Sequence, residues 1–153
     1  AIPEHAVYEG LAAAVWPGRF EVLRTDPVVI ADGGHNRQCA QAVAEALRTY
    51  FPNRQILMIM GVLADKDYDS MLRILAPFGK RFYTVTPDSP RALSAAELAE
   101  KLKSYGKPTD VCSGAAEAAA KALRDARQDD IICSVGSLYM TGEIRTAVLG
   151  TEN

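Results

Sequence analysis

Arg19, Asp32 and His35 are the side chains whose types and spacing best suit chemistry in this chain. The apolar run Val28-Val29-Ile30-Ala31 stops abruptly at Asp32-Gly33-Gly34-His35-Asn36, and a helical pattern follows. In an open α/β sheet the carboxyl end of a strand is where ligands bind, because the strand delivers side chains to a crevice between the connecting loops. Shortly before it, Trp16-Pro17-Gly18-Arg19-Phe20-Glu21 forms a turn that leads into an arginine. A carboxylate accepts hydrogen bonds from ribose hydroxyls, and an arginine presents a planar fork to phosphate. Further on, Gly136-Ser137 at a helix start offers backbone N–H groups to an anion. Together these groups suit a nucleotide or a carboxylate-bearing ligand.

The elements that must position them read as a βα alternation. Val7, Leu11 and Val15 recur at helical spacing and predict a helix over 3–15, with Pro3 in its first turn. A brief strand over 20–23 turns at Asp26-Pro27 into a strand over 28–31. An amphipathic helix over 37–51 carries Val43, Ala46, Leu47 and Tyr50 on one face. Apolar strands follow at 56–60, 81–85, 110–112 and 131–135. Between them lie a helix with Met71, Leu72 and Leu75, a helix opened by the capping box Ser94…Glu97 and closed at Gly106, and an alanine-rich helix over 115–126. A last helix opens at Ser137. Strands apolar on both faces that alternate with helices imply an α/β, Rossmann-like three-layer sandwich, a mostly parallel sheet flanked by helices on both faces. Residues 1–153 are expected to form one domain. The loops at 32–36, 61–67, 87–91 and 136–137 then share one edge of the sheet.

Bulk composition removes several classes. Lys and Arg number 17 against 19 Asp and Glu, a net charge of -2, so there is no electrostatic footprint for nucleic acid or an acidic membrane. Cys39, Cys112 and Cys133 are far apart, which suggests neither a disulfide framework nor a zinc site and fits a reducing cytoplasm. No apolar run approaches the length of a bilayer span, and no signal-peptide pattern is present. Neither a G-x-x-x-x-G-K-[ST] loop nor a G-x-G-x-x-G fingerprint occurs, so no complete ATP-hydrolysing or dehydrogenase site is visible.

The ordered motifs Trp16-Pro17-Gly18-Arg19-Phe20-Glu21, Asp32-Gly33-Gly34-His35-Asn36, Gly61…Asp65-Lys66-Asp67, Pro90-Arg91-Ala92 and Gly136-Ser137-Leu138-Tyr139 resemble the C-terminal domain of folylpolyglutamate synthase/dihydrofolate synthase, in the Mur ligase superfamily. The resemblance covers almost the whole chain. It implies an ATP-dependent amide ligase. ATP phosphorylates a carboxylate of dihydropteroate or of a folate tail, and the amine of L-glutamate attacks the acyl phosphate. It further implies that Arg19 contacts the ATP phosphates, that Asp32, Gly33, His35 and Asn36 lie on the nucleotide side, and that His35, Ser137 and Lys66 lie near the glutamate. The family's phosphate loop, Mg2+ ligands and main folate surface belong to a covalently linked N-terminal domain absent from this chain. On that reading the isolated chain is inactive, and its start at Ala1 is that of a fragment rather than of a protein processed after methionine. Two departures stand out: Gly34 where the family usually has alanine, and Arg37 where it usually has proline.

Each candidate also has a plainer role. Asp32 could cap the following helix, and His35 could be an ordinary loop histidine. Arg19 could form a surface pair with Glu21 or Asp32. The Asp65-Lys66-Asp67 run reads as a solvated helix start, with Asp67 favoured there by the helix dipole. Ser137 could cap a helix and line the cleft at once, and Met58, Met60 and Met71 sit at core positions. Two other functions compete: the C-terminal domain of a peptidoglycan-precursor Mur ligase, and a stand-alone binding or phosphoacceptor module. Met60-Gly61, with no acid at the end of that strand, argues against a phosphoacceptor.

Overall fold

The computed structural model describes residues 2–150. A six-stranded sheet runs in the order β1-β2-β6-β3-β4-β5. Its strands are β1 (Glu21–Thr25), β2 (Val28–Ala31), β3 (Gln55–Met60), β4 (Gly79–Thr84), β5 (Thr109–Val111) and β6 (Asp130–Val135). All neighbouring strands are parallel except β1, which pairs antiparallel with β2 through a short hairpin. The connections are the helices α2 (Arg37–Tyr50), α3 (Tyr68–Leu75), α4 (Ala95–Ser104) and α5 (Ala115–Asp125), and α6 (Leu138–Leu149) closes the fold.

Alternate residues of the central strand β6 build the two faces. Ile131, Cys133 and Val135 join a core with Val43 and Leu47 of α2, Leu72 and Leu75 of α3 and Leu98 of α4. Ile132 faces the other way, with Ala118 and Ala122 of α5 and Met140 and Ile144 of α6. The alanines of α5 let that helix lie close over the bulkier Leu57, Ile59 and Tyr83 of the sheet. Burial pushes the Cys133 thiol up to about 12, so it acts as a small hydrophobe. Met58, Met60 and Met71 are all buried, as expected.

Local differences have local causes. The expected first strand moves from 20–23 to Glu21–Thr25, because Phe20 adopts φ 44 and belongs to the turn before it. The first helix, α1 (Glu4–Ala12), is shorter than expected, and Pro3 is its N-cap rather than a residue of its first turn. It buries none of its residues. The capping box at Ser94 and Glu97 is present, and Gly106 takes the left-handed φ of 72 that stops α4.

One ion pair braces the edge strand. Arg145 of α6 grips Glu21 with both Nε (2.9 Å to Oε2) and Nη2 (3.0 Å to Oε1), and the Gly18 amide donates to Oε2 at 2.7 Å. The Arg145 hydrogen bonds, against opposing desolvation, hold the Glu21 carboxyl below its ordinary 4.5. A depressed carboxyl stabilises the fold above its unfolded pKa, and that contribution is lost as pH falls through the folded value. Glu21→Gln is therefore expected to cost about 1 kcal/mol at neutral pH, roughly 3 °C in Tm. Thermal melts at pH 7 and pH 3 check this: the gap between wild type and variant closes in acid, and a gap that widened there would contradict it.

Candidate active site

The loops after β2, β3, β4 and β6 meet at the carboxyl edge of the sheet, as the alternation requires. α2, α3 and α4 pack on one face and α6 on the other, so the connection changes sides around β6. Ligands bind at such a switch point. Main-chain atoms join the loops there. The Gly136 amide donates to Gly34 O at 2.9 Å, and the Asp32 amide donates to Ser134 O at 2.9 Å. Gly136 has φ 118, and a Cβ on it would stand 2.4 Å from Gly61 O, so only glycine fits this crossing.

The candidate residues divide between two adjoining hollows. One, of about 490 Å³, is lined by Arg19, Phe20, Asp32, Gln38, Cys39 and Tyr50 among others. The second, of about 400 Å³, is lined by His35, Leu63, Lys66, Arg91, Ser137, Leu138 and Tyr139. Arg19 and Asp32 thus share one hollow, while His35, Lys66 and Ser137 share the next.

Asp32 is buried, and both carboxylate oxygens are engaged. Phe20 N donates to Oδ2 at 2.8 Å and Gly34 N to Oδ1 at 2.7 Å. It does not cap α2. Asn36 does, accepting from Cys39 N at 2.9 Å, because the two intervening glycines carry Asp32 too far back to reach the helix. Asp32 instead staples the arginine turn to its own loop, helped by the Gly33 amide, which donates to Gly18 O at 2.7 Å. That bond occupies the Gly33 N–H. Arg19 is exposed, and among the described residues it makes no ion pair. Arg145 holds Glu21, and the Arg19 fork approaches Cys39 Sγ at 3.8 Å.

In the second hollow, His35 Nδ1 donates to Gly33 O at 3.1 Å, since a carbonyl can only accept. That tautomer leaves Nε2 as an acceptor. Ser137 is the N-cap of α6: its Oγ accepts from Tyr139 N at 3.2 Å and retains its own proton to donate. Its two expected roles coexist. Lys66 lies on the wall, while Asp67 caps α3 through Ser70 N, the plainer reading of that run.

Sequence reasoning left Arg91 without a role, although Pro90-Arg91-Ala92 was among its motifs. Arg91 lines the second hollow and pairs with Asp65 at 2.9 Å. Leu138 and Tyr139, inside the Gly136-Ser137-Leu138-Tyr139 motif, and Leu63 carry no assigned role in the sequence either. An arginine in a loop at a strand's carboxyl end was the available signal. The walls of this hollow carry Lys66 and Arg91, so it favours an anionic ligand.

The family model for the Mur ligase glutamate ligase domain matches residues 18–138. This chain belongs to that family. A folylpolyglutamate synthase from Lacticaseibacillus casei is 34% identical over 148 residues, covering 96% of this chain and 33% of that protein. A probable bifunctional folylpolyglutamate synthase/dihydropteroate synthase from Halobacterium salinarum is 37% identical over 146 residues, covering 95% of this chain and 18% of that protein. The E. coli FolC structure in complex with DHPP and ADP superposes with a TM-score of 0.86 at 28% identity, over 94% of this chain and 34% of that one. The chain therefore spans about a third or less of the length of these relatives. The Mur ligase match also extends to a UDP-N-acetylmuramoyl-L-alanyl-D-glutamate--2,6-diaminopimelate ligase from Caldanaerobacter subterraneus, 31% identical over 151 residues, with 94% of this chain and 31% of that protein covered.

Proposed function

We propose that residues 1–153 are the glutamate-ligase domain of an ATP-dependent enzyme that adds L-glutamate to folate or dihydropteroate. The observation that carries this reading is the pair of hollows at one sheet edge, one with a fork that pairs with no acid among the described residues and one with cationic walls. Solved relatives complexed with ADP, or with Mn, AMPPNP and L-glutamate, support the choice of ligands.

In the reaction, the terminal phosphoryl group of ATP passes to a substrate carboxylate, giving an acyl phosphate and ADP. The glutamate amine then attacks the acyl carbon, the C–O bond to phosphate breaks, and the amine proton leaves. Arg19 spreads charge off the transferring phosphoryl group. Asp32 holds the Arg19 turn. His35, which lines the hollow, would accept the proton of the incoming amine through Nε2, and Ser137, Lys66 and Arg91 orient the amino acid through its carboxylates. Magnesium shields phosphate charge when bound. We assign its ligands to a covalently linked N-terminal P-loop domain, as the family resemblance implies. That domain is also the partner we assign to α1, whose Val7, Tyr8 and Leu11 stay exposed. A cytoplasmic location goes with this reading and with three free cysteines. No helix among the described residues is long and apolar enough to cross a membrane.

Arg91→Ala in the ligase carrying this domain is expected to raise KM for L-glutamate at least about tenfold, as loss of a charge-assisted fork does, with KM for ATP unchanged. Steady-state kinetics measure both, and an unaltered glutamate KM would defeat the assignment of this hollow. The diaminopimelate-ligase match keeps a second reading open to the same assay: 2,6-diaminopimelate replacing glutamate as the better substrate would favour it. The 153-residue chain by itself is expected to release no ADP.

A further inference from the structure

The wall that carries Arg91 is a miniature ribbon. The loops after β3 and β4 pair through an antiparallel bridge between Leu63 and Ala92. Ala64 N donates to Arg91 O at 2.7 Å and Leu93 N to Val62 O at 2.9 Å. Asp65 is thereby fixed beside Arg91 in the backbone, and its Oδ2 accepts from Arg91 Nη1 at 2.9 Å. Both side chains are about half exposed, at 50% and 45%. Neither the bridge nor the ion pair takes part in the steps assigned above.

We propose that Asp65 is a positioning residue for amino-acid selection: its carboxylate holds the Arg91 guanidinium in the orientation that reads the substrate's carboxylate. This rests on the assignment of the second hollow to the incoming amino acid. A guanidinium recognises a carboxylate through two parallel N–H···O bonds and must be held in plane to do so. Arginine otherwise loses much rotamer freedom on binding, and a partner that fixes it beforehand removes that cost. Asp65 takes up one end of the fork and leaves other N–H groups for a ligand. Tyr139, from the first turn of α6, supports the same guanidinium. With Asp65 it pushes the Arg91 pKa further above the ordinary arginine value.

Two effects of removing Asp65 have opposite signs. As a bare negative charge at the mouth, Asp65 repels an anionic substrate, so its loss would tighten binding. As a positioning group, its loss frees Arg91 and weakens binding. Asp65→Asn keeps the shape and removes the charge, which makes it the deciding variant. In the ligase that carries this domain, it is expected to raise KM for L-glutamate about fivefold while kcat stays within about twofold, with Asp65→Glu restoring most of the KM. In the 153-residue chain alone, the Arg91 Nη1–H protons that meet Asp65 are expected to exchange slowly in the wild type and faster in Asp65→Asn.

An unchanged or lowered glutamate KM in Asp65→Asn, or identical exchange at Arg91 Nη1–H, overturns the inference. If Arg91→Ala still raises KM, only the role of Asp65 falls. If Arg91→Ala is silent as well, the assignment of the hollow falls with it.

Discussion

Arg19→Ala is expected to lower the kcat of the full ligase about 10³-fold, near 4 kcal/mol of transition-state stabilisation, while leaving the fold intact. The size follows from the role proposed for the side chain. An arginine aimed at a transferring phosphoryl group acts where charge develops, in a site that closes against water. The safety of the fold follows from what it does not touch: Arg19 is exposed, its side chain makes only a 3.8 Å approach to Cys39 Sγ among the described residues, and it joins no ion pair there. Arg19→Lys keeps the charge and loses the fork, and is expected to recover only part of the rate. Glutamate-dependent ADP release measures the rate, and a thermal melt confirms that Tm is unmoved. A variant with wild-type kcat would remove Arg19 from the mechanism.

Asp32→Ala should act in the opposite order, on stability first and rate second. Its carboxylate holds two backbone amides, Phe20 N at 2.8 Å and Gly34 N at 2.7 Å, in a buried position. Hydrogen bonds to a charged group contribute about 1.5–3 kcal/mol each, and a buried amide left without its acceptor adds a desolvation cost. A loss of roughly 3–5 kcal/mol, about 10–15 °C in Tm, is the expected result. Asparagine is a poor rescue, because it turns an NH2 toward one of two N–H donors that both need an acceptor. Since the Phe20 amide belongs to the turn that carries Arg19, the catalytic rate should fall too. Differential scanning calorimetry decides the matter: a Tm within about 2 °C of wild type would mean that the staple contributes little.

The same two residues mark what was legible in the chain. The apolar runs that became β2, β3 and β6 set the parallel sheet, since strands covered on both faces carry no polar alternation. The glycines and caps set the helix ends at Ser94, Gly106 and Ser137. The edge placement of the Asp32, Lys66 and Ser137 loops followed from topology alone. The use made of Asp32 did not, because its acceptor bond reaches Phe20, whose proximity exists only once the β1–β2 hairpin has formed. Arg91 stayed without a role for a similar reason: the ribbon joining Leu63 to Ala92 is a pairing between two loops, and no periodicity within either announces it. The division into two hollows is likewise a product of how Gly33 and Gly34 fold back.

Gly136 N meets Gly34 O, and Gly136 leaves no room for a Cβ beside Gly61 O. Apart from the Asp32 staple, these loops therefore cross main chain to main chain, and side chains on the hollow walls that hold no backbone amide can be exchanged without disturbing the frame. A frame crossed in this way asks little of the side chains on its walls, and the chain is similar, at about 30% identity, both to a dihydrofolate synthase/folylpolyglutamate synthase and to a UDP-N-acetylmuramoyl-L-alanyl-D-glutamate--2,6-diaminopimelate ligase.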